Sequence, residues 1–255
     1  MTDLFSVEGK SVLVTGGSRG IGLMIARGFA ERGARVYVSS RKAEACDAVA
    51  AELSKSGSGF SLPADLATQD GVLGLAREMS EREPALDVLV NNAGANWGEP
   101  YEQFPESGWD KVMALNVKSM FFLTRELTPA LRRAASPESP ARVINIGSVD
   151  GLKVSSLEIY AYGASKAAVH HLSRMLAKKL APRITVNAVA PGPFESKMMA
   201  ETLRNFGDAI AAGLPMGRIG EPEDMAGVAI FLASRAGAWL TGAVIPVDGG
   251  ESTTK

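Results

Sequence analysis

Cysteine and histidine are almost missing from this chain of 255 residues: Cys46 is the lone thiol, and His170 and His171 are the only imidazoles. One cysteine closes no internal disulfide, which fits a reducing compartment, and so few soft or imidazole ligands argue against a His/Cys metal centre. Excess charge is also missing. Lys+Arg 27 against Asp+Glu 28 leaves −1, which removes the electrostatic basis for a nucleic-acid partner. No apolar run approaches the roughly 20 residues of a membrane span. The N-terminus carries Asp3 and Glu8 early and no apolar core of a secretory signal. A cytoplasmic protein without a membrane or nucleic-acid partner is the expectation.

What is present is an ordinary globular composition, 46% apolar and 22% charged, on a chain long enough to bury about three-quarters of its unfolded surface. Short β-branched runs alternate with longer amphipathic ones. Strands are expected at Val12–Thr15, Val36–Ser39, Phe60–Pro63, Val88–Val90, Val143–Ile146, Ile184–Val189 and Ala243–Val247. Between them, helices are expected through Ile21–Phe29 up to the stop at Gly33, and near Ala43–Lys55, Gln69–Arg82, Trp109–Arg133, Tyr160–Leu180, Lys197–Ala212 and Pro222–Ser234. Repeated strand–helix–strand units predict a doubly wound α/β fold, a parallel sheet with helices on both faces. No composition break divides the chain, so residues 1–255 are expected to form one domain.

Thr15-Gly16-Gly17-Ser18-Arg19-Gly20-Ile21-Gly22 joins the first strand to the first helix. Glycines there allow a tight turn and a close backbone approach, and the helix start offers unpaired N–H groups to a pyrophosphate. The spacing is Gly-x-x-x-Gly-x-Gly, which is neither the common dinucleotide fingerprint nor a Walker A loop. A plain strand-to-helix turn is the alternative. The second strand ends Ser39-Ser40-Arg41-Lys42, with no carboxylate before Glu44. In a nucleotide-binding sheet an acid at this place favours NAD and an arginine favours the 2′-phosphate of NADP. Arg41, with Arg19 from the glycine turn, therefore predicts NADP(H); a solvated basic helix start is the alternative.

Tyr162 and Lys166 stand at i and i+4, on one face of a helix, where the ammonium is expected to lower the tyrosine pKa. Ser148 follows the fifth strand at the edge where such folds bind ligands. Asn116 lies mid-helix, an awkward place for a residue that prefers caps. A Tyr/Lys pair alone is common on helices; the glycine turn and Ser148 give it weight.

With these residues in place, the chain resembles the classical short-chain dehydrogenases/reductases. The matching pieces are Thr15–Gly22, Asp65-Leu66, Asn91-Asn92-Ala93-Gly94, Asn116, Ser148, Tyr162-x-x-x-Lys166 and Pro191-Gly192, in family order across nearly the whole chain. The resemblance implies a Rossmann fold whose seven strands run 3-2-1-4-5-6-7, and a catalytic set of Asn116, Ser148, Tyr162 and Lys166. In it Tyr162 is the general acid of carbonyl reduction and Ser148 positions the carbonyl oxygen. Lys166 binds the nicotinamide ribose and tunes Tyr162, while Asn116 holds a water linking Lys166 to solvent. It also implies cofactor contacts from Gly16, Ser18, Arg19, Gly20, Ile21, Gly22, Ser40 and Arg41. Asp65 and Leu66 border the adenine, Asn92, Ala93 and Gly94 line the middle of the cofactor, and Pro191, Gly192 and Ser196 flank the nicotinamide. Tyr160 is a decoy, since Ala164 and not lysine follows four residues on.

Within the family, Arg142–Val149 and the ending Ile245–Gly250 resemble 3-oxoacyl reductases, as do Ser107-Gly108-Trp109, Arg174–Lys178 and Pro215–Arg218. The implied activity is NADPH-dependent reduction of a 3-oxoacyl thioester, in lipid or fatty acid metabolism. A sugar or polyol dehydrogenase is the enzymatic alternative, and a non-catalytic dinucleotide-binding scaffold the alternative of another class. An acyl carrier protein is a candidate partner, docking on Arg132, Arg133 and Arg183. Met198 and Met199 are expected to start a flexible substrate lid. His170 and His171 are expected in surface or interface packing, and Trp97 in a pocket wall or the core. A homotetramer or homodimer is expected through the helices bearing Met113, Met120, Phe121, Phe122 and Val169.

Overall fold

The computed structural model describes residues 3–196 and 199–254. Its strands are β1 (Ser11–Thr15), β2 (Arg35–Ser39), β3 (Ser58–Ser61), β4 (Val88–Asn91), β5 (Ala141–Ile146), β6 (Ile184–Pro191) and β7 (Val244–Val247). All pair in parallel in one seven-stranded sheet of order β3-β2-β1-β4-β5-β6-β7. Five of these strands, β1, β2, β4, β5 and β6, are buried along their whole length, or nearly so, because helices cover both faces.

Strand alternation divides the core in two. Val12, Val14, Val36, Val38, Val88, Val90, Ile144 and Ile146 point to one face. There they meet α1 (Gly20–Ala30), α2 (Ala43–Leu53) and α8 (Pro222–Ala233) through Ile25, Phe29, Leu53, Met225 and Ile230. Leu13, Tyr37, Leu89, Val143 and Val186 point to the other. They pack on α3 (Gln69–Arg82), α5 (Ser119–Ala134) and α6 (Tyr160–Leu180) through Leu75, Met79, Leu127, Leu131 and Leu180. Arg142, 2% exposed, crosses between layers and donates to the carbonyls of Leu232, Ser234 and Pro140, tying β5 to the end of α8.

The strand order reverses between β1 and β4, which opens a crevice at their C-terminal ends. Every turn that carries a predicted site residue leaves the sheet on that edge.

Three expected elements differ. The third strand begins at Ser58, not Phe60, because Gly57 and Gly59 let its backbone lie against α1 and α2. A Cβ on either glycine would stand 2.4 Å from the carbonyl of Ala30 or Ala50. The expected single helix from Trp109 to Arg133 is α4 (Glu106–Met113), a wide π-turn (Ala114–Lys118) and then α5. The π-turn accounts for Asn116 in mid-helix: extra residues in one turn re-aim a side chain and mark functional sites. The helix expected from Lys197 spans Ala200–Gly213 (α7); Lys197 and Met198 lie outside the described residues.

Candidate active site

The glycine turn is built by close approach. Gly16 and Gly20 adopt φ of +65° and +53°. Asn92, after β4, donates through Nδ2 to the carbonyls of Thr15 (2.9 Å) and Gly16 (3.2 Å). Thr15 Oγ1 in turn accepts from the amides of Asn92 and Ala93 at 2.9 and 3.0 Å. A side chain on Gly22 would meet Asn92 Nδ2 at 2.4 Å. Thr15 and Asn92 thus lace the turns after β1 and β4 together. Arg19 takes the N-cap place of α1 without a side-chain cap bond, so the first-turn amides of Gly20, Ile21 and Gly22 face the crevice without one. Ser18 and Ile21 are half-buried beside them.

At the end of β2, Ser40 is fixed by the Ala64 amide on its carbonyl, at 3.0 Å, and by Cys46 on its hydroxyl. Arg41 and Arg19 are exposed, and neither guanidinium has a partner among the described residues. Asp65 Oδ1 accepts from Ala67 N at 3.1 Å, holding the bend before α3, and Leu66 is buried beneath it. Across the crevice, Gly192 donates to Val247 at 3.0 Å and continues Pro191 into a segment that returns to the glycine turn. Ser196 Cβ would stand 3.3 Å from a Cβ on Gly20. Gly94 lies under Asn116, whose Oδ1 would be 3.2 Å from a Cβ there. This crevice of glycine backbone, unpaired amides and two free guanidiniums fits a dinucleotide carrying an extra phosphate.

The second cluster lies on the same edge, past β5. Ser148 caps a 3-10 turn (Val149–Gly151), and its Oγ is 3.1 Å from both Asp150 N and Asp150 Oδ2. The Tyr162 hydroxyl stands beside Ser148, whose hydroxyl favours the phenolate. Lys166, 5% exposed, donates to the Ile146 carbonyl at 2.8 Å, and its Nζ stands 5.4 Å from the centre of the Tyr162 ring. Asn116 bridges: Oδ1 accepts from Ala95 N at 2.8 Å, while Nδ2 donates to Ala95 O at 3.0 Å and to Ser165 Oγ at 2.9 Å. It ties the segment after β4 to α6, one residue before Lys166.

The electrostatics differ from expectation. Tyr162 is pushed up, not down, to about 12: burial disfavours the phenolate and Asp150 adds to this, against the opposing Ser148 hydrogen bond. Lys166 is pulled down to about 8 by burial, with Asp150 opposing. The i,i+4 spacing was right, with Lys166 Nζ over the Tyr162 ring, but burial and not the ammonium governs the phenol.

Other expectations change too. His170 is buried, not at the surface. Its Nε2 accepts from Ser148 N at 3.5 Å, and Gly147 and Gly151 are glycines because a Cβ on either would strike its ring. Burial lowers its pKa to about 4, and Lys166 and Arg174 add to this while the Gly151 backbone opposes. The unfolded chain, with an ordinary histidine near 6.5, therefore binds more protons than the fold between about pH 6.5 and 4. Stability is full above that window and is lost as pH falls through it. The expected loss between pH 6 and 5 is about 1 kcal/mol. Urea unfolding against pH measures it, and a His170→Gln variant with the same slope would refute the assignment.

Trp97 is half-buried, packed on Gly108 with Lys111 Nζ 5.0 Å above its ring. Arg132, Arg133 and Arg183 stand at the N-terminal edge of the sheet, opposite Ser148. Arg133 donates to Pro84 O, and Arg183 to Arg132 O and Ala135 O, closing the end of α5. They do not form a docking patch beside the chemistry. Met120 and Val169, expected at an interface, are buried inside the protomer. Sequence reading gave Thr15 only as the start of the glycine turn and missed Asp150 and His170 as site-builders; Asp150, two residues from Ser148, left a local signal.

A family model described as enoyl-(acyl carrier protein) reductase matches residues 16–252. The rhamnolipids biosynthesis 3-oxoacyl-[acyl-carrier-protein] reductase of Pseudomonas aeruginosa is 53% identical over 253 residues, 98% of this chain and 99% of that protein. The gluconate 5-dehydrogenase of Gluconobacter oxydans is 36% identical over 256 residues, covering 97% and 96%. Among solved structures, the Pseudomonas aeruginosa RhlG/NADP active-site complex aligns with a TM-score of 0.95 at 52% identity, covering 99% of this chain and 100% of that one. A gluconate 5-dehydrogenase from Burkholderia cenocepacia in complex with NADP and tartrate aligns at 0.89 and 31% identity, covering 99% of each.

Proposed function

Because the chain belongs to the short-chain dehydrogenase/reductase family, we propose that it reduces a ketone to a secondary alcohol with NADPH, the substrate being a 3-oxoacyl thioester. The observation that carries the reaction type is the Ser148–Tyr162–Lys166 cluster at the crevice edge. The substrate class follows the relative at 53% identity, a 3-oxoacyl-[acyl-carrier-protein] reductase.

NADPH, when bound, supplies the hydride to the carbonyl carbon. Gly16–Gly22 and the start of α1 hold its pyrophosphate, and Arg19, Ser40 and Arg41 hold the 2′-phosphate. Asp65 and Leu66 border the adenine. Asn92–Gly94 lie along its middle, with Pro191, Gly192 and Ser196 beside the nicotinamide. Ser148 Oγ holds the carbonyl oxygen, and Tyr162 gives its phenol proton to that oxygen as alkoxide character develops. Lys166 holds the ribose and faces the phenol with positive charge. Asn116 acts as a brace, keeping α6 in register with the segment after β4.

A cavity of about 600 Å³ past the ends of β6 and β7 is walled by Phe194, Leu214, Met216 and Val247 and also by Arg218, Asp224 and Asp248, and Ser148, Tyr162 and Lys166 do not line it, so the preference for an acyl chain over a polyol rests on the relative at 53% identity. Rates on acetoacetyl thioesters are expected to exceed those on common sugars and polyols by at least about tenfold, roughly 1.4 kcal/mol of barrier. A substrate panel followed by NADPH absorbance decides this. Faster turnover of a polyol would move the chain to the gluconate and galactitol dehydrogenases it also resembles.

No helix among the described residues is long and apolar enough to cross a membrane, and a cytoplasmic, single-domain enzyme is the reading. It assembles as a homotetramer or homodimer through the apolar side chains left exposed on α4 and α6, Trp109, Tyr160 and Met175. A monomeric mass by light scattering at micromolar concentration would remove this assembly.

A further inference from the structure

The turn after β5 holds a carboxylate to which the reaction just described gives no role. Asp150 Oδ2 lies 3.1 Å from Ser148 Oγ and accepts its proton, while the Asp150 amide donates back to the same Oγ at 3.1 Å. A serine hydroxyl has one proton and two lone pairs. With its hydrogen turned to the carboxylate and one lone pair taken by the amide, the hydroxyl is held by Asp150 at both ends; turned instead to the Tyr162 oxygen, the same hydrogen would favour the phenolate.

We propose that Asp150 is a positioning residue for carbonyl reduction: its carboxylate holds the Ser148 hydrogen away from the Tyr162 oxygen and, with its charge, keeps the phenol protonated until a substrate oxygen draws that hydrogen away. The proposal rests on the reductase reading. An incoming carbonyl must draw the Ser148 hydrogen from Asp150, which places its oxygen beside the phenol that donates to it.

The surroundings single out this carboxylate. From α6 itself, Lys166 and His170 stand nearby. α4, packed on α6, carries Glu106, Asp110 and Lys111, all exposed. The π-turn offers the uncharged Asn116 and an exposed Lys118. β5 carries Arg142 toward its far end, and β6 no charged residue. Asp150 is the group whose charge raises both Tyr162 and Lys166. One carboxylate therefore biases both members of the pair toward their protonated forms.

The test compares Asp150→Asn, which keeps size and removes charge, with Asp150→Glu, which keeps the charge. The first readout is the pH dependence of kcat for 3-hydroxyacyl oxidation, which needs the phenolate. In Asp150→Asn its rising limb is expected about one pH unit lower, a tenfold larger phenolate fraction below the limb, while Asp150→Glu follows the wild type. The second readout is tyrosinate difference absorbance on the substrate-free protein, with Tyr162→Phe as the blank. It needs no turnover, so a chain that reduces no ketone refutes the reductase reading and still reports whether Asp150 governs the phenol. Coincident Tyr162 ionisation in wild type and Asp150→Asn overturns the proposal. Failure of Asp150→Asn to fold also overturns it, because a positioning role on a half-exposed turn leaves stability intact.

Discussion

Tyr162→Phe is expected to lower kcat for ketone reduction by at least about 10²-fold, the low end of general acid–base catalysis, while NADPH binding and the fold stay nearly unchanged. The substitution keeps the ring that packs beside Lys166 and removes only the hydroxyl that stands beside Ser148. Hydride delivery leaves negative charge on the substrate oxygen, and the phenol is the acid aligned to quench it. Burial holds that phenol up at about 12. The proton donor is therefore fully loaded through the neutral range, and reduction should be insensitive to pH there until the alkaline limb. Alcohol oxidation needs the phenolate, so it should rise with pH over the range where reduction is flat. Cofactor fluorescence and turnover on one preparation form the check. Near-normal kcat in Tyr162→Phe would sink the mechanism.

The second large effect is on cofactor choice. Replacing both free guanidiniums, Arg19→Ala with Arg41→Asp, removes two charge-assisted contacts to the 2′-phosphate and adds repulsion. At about 1.5–3 kcal/mol for each contact, the NADPH over NADH ratio of kcat/KM should fall by about 10²- to 10⁴-fold. Neither side chain has a protein partner to lose among the described residues, so the melting temperature should barely move. Steady-state kinetics with both cofactors on wild type and variant measure the ratio. A wild type that uses NADH equally well would defeat the argument.

Much of this protein was legible in one dimension, and the reason is that local rules govern those parts. Alternating β-branched runs and helical periodicity set the order of elements, since a strand buried on both faces must be apolar throughout, as Val12–Val14 and Val88–Val90 are. Tyr160–Leu180 appears as a helix with the bounds read from its sequence. The glycine turn could be read because only residues without a Cβ permit Gly16 and Gly20 their positive φ and Gly22 its contact with Asn92. Tyr162 and Lys166 share a face because four residues make about one helical turn.

The sheet edge decided the rest. Asn116 looked misplaced until a π-turn aimed it at Ala95 and Ser165, groups 21 and 49 residues away in the chain. His170 looked like a surface residue because nothing near it in sequence announces Gly147 and Gly151, which open the space it fills. The direction of the Tyr162 shift was misread for the same reason. Spacing along a helix reveals the neighbouring ammonium, but the dominant cost, removal of the phenolate from water, arises from segments that meet only when β4, β5 and α6 pack together. Sequence determined which groups are present and in what local order. Tertiary packing determined how dry they are, and desolvation sets the charge each one carries.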